Sequence, residues 1–289
     1  MFKAKGILIP IGGNEDKGDD INRSETETLE FIQEGIISHV VRESGGKDKS
    51  FVVIPTASSI PVEVGQTYIQ TFELLGCKNV TVLDIRKKAD ANNPKNLEIV
   101  RKSSCVMFSG GDQSKITKII GGSALHEILT NRYANDPEFV LAGTSAGAMA
   151  MSEEMIAGGI ASESFVKGTV KMSKGMGWLP QIMIDTHFVQ RGRFGRIAQA
   201  VAKFPSILGI GLSENTGVVI KNGDDLKVIG TGMVIIFDGS EIEHNSEALL
   251  EPGTPMTITN LKVHVLSNSD RYTLSTKKVA VLPIDAPFN

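Results

Sequence analysis

Only two cysteines, Cys77 and Cys105, occur in 289 residues, too few for a disulfide framework. Cys105 stands in the apolar run Cys105-Val106-Met107-Phe108, the setting of a buried, inert thiol. No apolar run approaches the roughly 20 residues that a membrane helix needs. The stretch from Gly6 to Ile11, behind Lys3 and Lys5, is too short for the apolar centre of a signal peptide. Neither sign of charge dominates: the net charge is −3, so no global field draws the chain to nucleic acid or to an anionic surface. Internal repeats and low-complexity linkers are also missing. These absences make the cytoplasm the expected location, with no nucleic-acid and no membrane partner. What is present is an ordinary globular composition, 41% hydrophobic and 22% charged, enough for one sizeable core.

Short β-type runs alternate with helix-type runs through the first two-thirds. Gly6 to Ile11, Phe51 to Ile54, Val80 to Leu83 and Cys105 to Phe108 read as strands. Ser24 and Glu27 form a capping box, after which Leu29, Ile32, Ile36, Ile37, Val40 and Val41 recur at helical spacing as far as Gly45-Gly46. Pro61 opens a helix to about Gly76, and helices fill about Gln113 to Tyr133. Continuously apolar strands separated by helices predict an α/β fold, a mostly parallel sheet with helices on both faces. From about Ile207 the strands crowd together: Ile207 to Leu212, Gly217 to Ile220, Leu226 to Ile229 and Met233 to Phe237. Turn residues such as Asn222-Gly223-Asp224 separate them. The reading is a single domain over 1–289, with an α/β core in 1–206 and a β-rich section in 207–289. The late hairpins are expected to extend the main sheet. Residues 240–289 read as further strands or as an arm reaching a partner subunit, which leaves a homodimer open.

The most informative segment is 138–151, where the apolar run Phe139 to Ala142 meets Gly143-Thr144-Ser145-Ala146-Gly147 and then a helix-prone run of Ala and Met. Strand, sharp turn and helix, with a serine at the turn, describe a nucleophile elbow. The helix starts at the serine, so the N–H of Ala146 can face developing negative charge. A serine hydroxyl needs an adjacent base. Of five histidines, His39 and His126 sit in helical stretches, and His244 and His264 in the late β-rich section. His187 follows the strand-like Ile182-Met183-Ile184 and the polar pair Asp185-Thr186, at a strand end where α/β folds bind ligands. Glu163 and Glu214 compete as the group that orients the base, and the sequence does not order them. Gly110 and Gly111, in Ser109-Gly110-Gly111-Asp112-Gln113, offer N–H groups to an oxyanion, and Gln113 an amide to a substrate. Gly12-Gly13-Asn14-Glu15-Asp16-Lys17 repeats that pattern after the first strand and is not a P-loop. Arg191, Arg193 and Arg196 follow the base closely and suit carboxylate recognition. No ligand spacing for a metal is present, and no cofactor is implied.

Four segments together carry a resemblance: Gly12 to Lys17, Phe108 to Gln113, Gly143 to Ser152, and Asp185-Thr186-His187 with Arg191-Gly192-Arg193. In order over roughly residues 6–220, the chain resembles the S51 serine peptidases, in the branch that degrades cyanophycin and is related to the aspartyl dipeptidases. The resemblance implies a fold similar to class I glutamine amidotransferases and flavodoxin, and not that of an α/β-hydrolase esterase. It also implies a serine exopeptidase acting on a polyaspartate that carries arginine on each β-carboxylate, releasing β-Asp-Arg. The substrate partner is thus a polypeptide or dipeptide rich in Asp and Arg. By motif, Ser145 is the nucleophile and His187 the base. Either Glu163 or Glu214 is the acid, and Gln113, Asp185, Thr186, Arg191, Arg193 and Arg196 bind substrate. Thr186 stands where the family usually has Gln, which removes an amide. A dipeptidase for aspartyl or β-aspartyl substrates and a silent amidotransferase-like scaffold are the alternative readings.

Overall fold

A computed structural model of the chain describes residues 4–18, 34–159 and 165–283. Ser24, Glu27, Leu29 and Ile32 of the expected capped helix lie outside the described residues.

Five strands make the parallel part of the main sheet: the apolar β1 (Ile7–Ile11), β2 (Ser50–Ile54), β4 (Cys105–Phe108) and β5 (Val140–Thr144), and the half-exposed edge strand β3 (Asn79–Val82). Alternate residues point to opposite faces. Leu8, Val52, Ile54, Val106 and Phe108 therefore join one core cluster, and Ile7, Ile9, Phe51, Val53 and Met107 the other. Helices α1 (Ile36–Glu43) and α2 (Pro61–Leu74) supply Ile37, Val40, Tyr68 and Phe72 to the second cluster. On the opposite face lie α3 (Pro94–Lys102), α4 (Gln113–Ile119) and α5 (Ala124–Asn135), with Leu97, Val100, Ile116, Leu125 and Leu129. A sheet buried on both faces needs continuously apolar strands, as the sequence carries. No helix among the described residues is long and apolar enough to cross a membrane.

The remaining elements are α6 (Ala146–Met149), the ribbon β6 (Glu154–Gly158) and β7 (Lys171–Lys174), β8 (Ile182–Asp185), and α7 (Phe194–Lys203). They are followed by β9 (Leu208–Leu212), β10 (Thr216–Lys221), β11 (Asp225–Gly230), β12 (Val234–Asp238), β13 (Lys262–Leu266), β14 (Arg271–Thr273) and β15 (Lys278–Ala280).

The late strands divide between two sheets. β10, β11, β14 and β15 extend the main sheet, in the order β15-β14-β11-β10-β1-β5-β4-β2-β3. β9, β12 and β13 instead join β8 in a second, four-stranded sheet. This corrects the expectation that all the late hairpins add to the main sheet, and strands from both sides of residue 206 share each sheet. The physical reason is visible in β9. A Cβ on Gly209 would come within 2.7 Å of Val201, and one on Gly211 within 2.4 Å of Phe188. The glycines thus let α7 and the chain after β8 lie directly on β9, parallel to β8.

Candidate active site

The C-terminal end of β1 assembles the site. The Ile11 carbonyl accepts the N–H of Ser145 at 2.9 Å, the Gly12 carbonyl accepts that of His187 at 2.8 Å, and the Gly13 carbonyl accepts that of Asn215 at 2.9 Å. Three successive carbonyls therefore fix the turn after β5, the loop after β8 and the turn after β9. His187 arrives from the second sheet, not from the edge of the main one.

Backbone strain concentrates at these contacts. Ser145 has φ 51° and ψ −111°, while Asn14, His187 and Asn215 have φ 47°, 49° and 45°. Positive φ in non-glycine residues costs about 1–3 kcal/mol each and persists where surrounding structure over-determines it. The glycines flanking Ser145 make its turn fit. A Cβ on Gly143 would lie 2.7 Å from the Gly147 carbonyl carbon, and one on Gly147 would lie 2.5 Å from the Phe108 carbonyl oxygen.

The side chains form a relay. Ser145 Oγ lies 2.9 Å from His187 Nε2, and His187 Nδ1 lies 2.6 Å from Glu214 Oε1. Asn14 Nδ2 donates to Glu214 Oε2 at 3.1 Å, and the Glu214 N–H donates to Gln190 Oε1 at 3.2 Å. In this arrangement an imidazole with Nδ1–H toward the carboxylate has Nε2 free to accept a proton, and the carboxylate is placed to stabilise an imidazolium. Gly110 closes over the serine, where an added Cβ would lie 3.3 Å from Ser145 Cβ. Gly111 has φ 137° and is pressed on the Ala57 carbonyl. Ala146 opens α6, whose first N–H groups have no intrahelical acceptor. Ser145, His187, Glu214, Gly110, Gly111, Lys17, Tyr68 and Arg191 line a cleft of about 720 Å³, a size that suits a small or peptidic ligand.

The other expected residues are placed as follows. Glu163 lies outside the described residues. Gln113 Nε2 donates to the Ile156 carbonyl at 2.9 Å, so that amide is engaged within the protein. Asp185 is fully buried. Arg196 Nε donates to Asp185 Oδ2 at 2.7 Å, and Arg193 Nη1 donates to Asp185 Oδ1 at 3.0 Å. Arg193 also holds the Thr186 carbonyl at 2.7 Å. Two of the three arginines are thus committed to the segment that carries His187. The buried Thr186 hydroxyl has no hydrogen-bond partner among the described residues. Arg191 lines the cleft.

Three groups near the serine escaped the sequence reading as site residues. Asn14 and Gln190 bracket Glu214. Glu15, 4% exposed, accepts from Thr144 Oγ1 and from the Tyr68 hydroxyl, each at 2.5 Å, and pairs with Lys17 at 3.1 Å. Burial opposes its charge, but Lys17 and the two hydroxyls outweigh burial and hold its carboxyl below its ordinary value. Burial and Glu15 push the Tyr68 phenol far up, so it stays a donor. The available signal was the polar Gly12-Gly13-Asn14-Glu15 run at the C-terminal end of a central strand. Among the described residues, no cluster of His, Cys, Asp and Glu is arranged to hold a metal ion.

Comparison with known proteins bears on this arrangement. The model of Peptidase family S51 matches residues 23–229. A protein named cyanophycinase from Trichormus variabilis is 34% identical over 277 residues, 95% of this chain and 88% of that one. Another of that name from Geminocystis herdmanii is 33% identical over 272 residues, 94% of this chain and 95% of that one. The solved structure of a peptidase from an acI-B1 actinobacterium shares the fold, with a TM-score of 0.63 at 23% identity, covering 83% of this chain and 94% of that one. This chain belongs to peptidase family S51, the serine peptidases that its motifs resemble.

Proposed function

We propose that this S51 peptidase is a serine exopeptidase that hydrolyses cyanophycin to β-Asp-Arg dipeptides through an acyl-enzyme on Ser145. The observation that carries the reading is the unbroken path from Ser145 Oγ through both nitrogens of His187 to Glu214. Ser145 Oγ attacks the scissile carbonyl while His187 Nε2 takes its proton. The N–H groups of Gly110, Gly111 and Ala146 receive the oxyanion. His187 returns the proton to the leaving amine, and water repeats the sequence to release the acyl group. Glu214 is the acid in this reading, since its carboxylate bonds Nδ1. The polymer is proposed because relatives named cyanophycinase match along nearly the whole chain, and because Arg191 presents a cation to substrate carboxylates in the cleft. Asp185, Arg193 and Arg196 serve this reading by holding the loop of His187.

Incubation with purified cyanophycin and, separately, with Asp-X dipeptides tests the proposal. Release of β-Asp-Arg from the polymer by the wild type, and none by Ser145→Ala, is expected. Hydrolysis of the Asp-X dipeptides alone would replace the polymer with an aspartyl dipeptide substrate.

A further inference from the structure

The cleft beside Ser145 contains a lysine that the motif of the arginine cluster does not include. Lys17 lines the same cleft as Ser145, His187 and Arg191. It is tied to the serine by a short chain of contacts. Thr144, the residue before Ser145, donates to Glu15 Oε2 at 2.5 Å, and Glu15 Oε1 lies 3.1 Å from Lys17 Nζ. Lys17 Nζ also donates to the Glu15 carbonyl at 3.3 Å. The ammonium also lies 5.5 Å from the centre of the Tyr68 ring, so Glu15 and Tyr68 together hold it in place. The Lys17 side chain is 26% exposed and that of Glu15 1% exposed, and both residues line the cleft.

We infer that Lys17 is a substrate-binding residue that reads a carboxylate flanking the scissile acyl group. Charge counting within the site supports this. Arg193 and Arg196 are committed to Asp185. Glu15 pairs with Lys17 and accepts from Tyr68 and Thr144, which fixes the ammonium at the cleft wall. Of the basic side chains around the serine, Lys17 and Arg191 remain to meet an anionic ligand. An ammonium already held by a buried carboxylate loses little conformational freedom when it binds. A charge-assisted bond from it discriminates a carboxylate from a neutral amide by roughly 10- to 100-fold. The inference rests on Ser145 being the nucleophile, as proposed above, and not on the identity of the polymer.

Two fluorophosphonate probes of equal length test it, one ending in a carboxylate and the other in a carboxamide. Wild-type Ser145 is expected to label faster with the carboxylate probe. Lys17→Met lowers the carboxylate-to-carboxamide rate ratio about tenfold, and Lys17→Arg keeps it near the wild-type value. Melting curves show that both variants are folded. The inference is overturned if the wild type labels with both probes at one rate, or if Lys17→Met leaves the ratio unchanged. A ratio that responds to Lys17 in a protein that leaves cyanophycin intact would remove the polymer and keep the carboxylate site.

Discussion

The carbonyl of Gly12 accepts the backbone N–H of His187 at 2.8 Å, so the loop after a strand of the second sheet is fastened to the end of the central strand of the first. The next residue, Gly13, lies against the imidazole itself, and a Cβ there would sit 2.5 Å from Nε2. The His187 imidazole is thus located by backbone contacts from β1, and small changes in β1 should act on any chemistry it performs.

Gly13→Ala adds a methyl group against the ring and asks an alanine to adopt φ 100°. The imidazole must shift, and a displacement of about 1 Å in an acyl-transfer site costs on the order of 100-fold in rate. The expected outcome is a fall in kcat of about that size, with about 1–3 kcal/mol of stability lost. Steady-state kinetics and chemical denaturation measure the two effects separately.

Glu214→Gln keeps the shape of the side chain and removes the charge that faces Nδ1. Loss of the correct tautomer and of imidazolium stabilisation lowers kcat by roughly 10²- to 10⁴-fold, with little change in KM. Asn14→Ala removes one donor from the same carboxylate and should cost about tenfold, since it acts through Glu214. A kcat for Glu214→Gln close to wild type would remove this carboxylate from the relay.

Arg196→Met leaves the fully buried Asp185 with a weaker set of partners. Breaking a buried ion pair from one side costs roughly 3–5 kcal/mol, read as a lower urea midpoint. The double replacement Asp185→Asn with Arg196→Met should cost less than the sum of the two single changes, because it leaves no uncompensated charge.

His39 provides a pH-dependent prediction away from the site. Burial, then Arg42 and Lys227, lower its pKa to about 4. The neutral ring accepts from Arg42 Nη2 at 3.0 Å. The folded state binds fewer protons than the unfolded state between about pH 4 and the ordinary histidine value. The stabilisation is therefore complete above that value and is lost as pH falls toward 4, by about 3 kcal/mol. His39→Gln should flatten that slope in denaturation curves taken across this range.

Much of the fold was legible because its strands are buried on both faces. Val52-Val53-Ile54 and Cys105-Val106-Met107-Phe108 carry no polar interruption, and only a covered parallel sheet accommodates such runs. The pairing of the later strands was not legible. Leu208-Gly209-Ile210-Gly211-Leu212 announces a strand, but periodicity does not say which sheet it joins. That choice depends on Phe188 and α7 occupying the space its glycines leave. In the candidate site, the placement of Ser145 at a turn and of His187 past a strand end was readable from local context. The contact of Glu214 with His187 was not legible, because it spans 27 residues, and the sequence left Glu163 and Glu214 as equal candidates. Arg193 and Arg196 looked like ligand-binding cations, yet the partner that holds them, Asp185, sits only 8 and 11 positions upstream. Spacing alone does not separate a guanidinium that binds substrate from one that braces the loop beside it.

The central claim is that the Ser145 hydroxyl is made reactive by His187. Fluorophosphonate labelling, mapped by peptide mass spectrometry, tests it most directly. One phosphonyl group per chain on Ser145, with the rate collapsing in His187→Ala while that variant stays folded, is the expected result. Modification elsewhere, or undiminished labelling of Ser145 without the imidazole, would contradict the account.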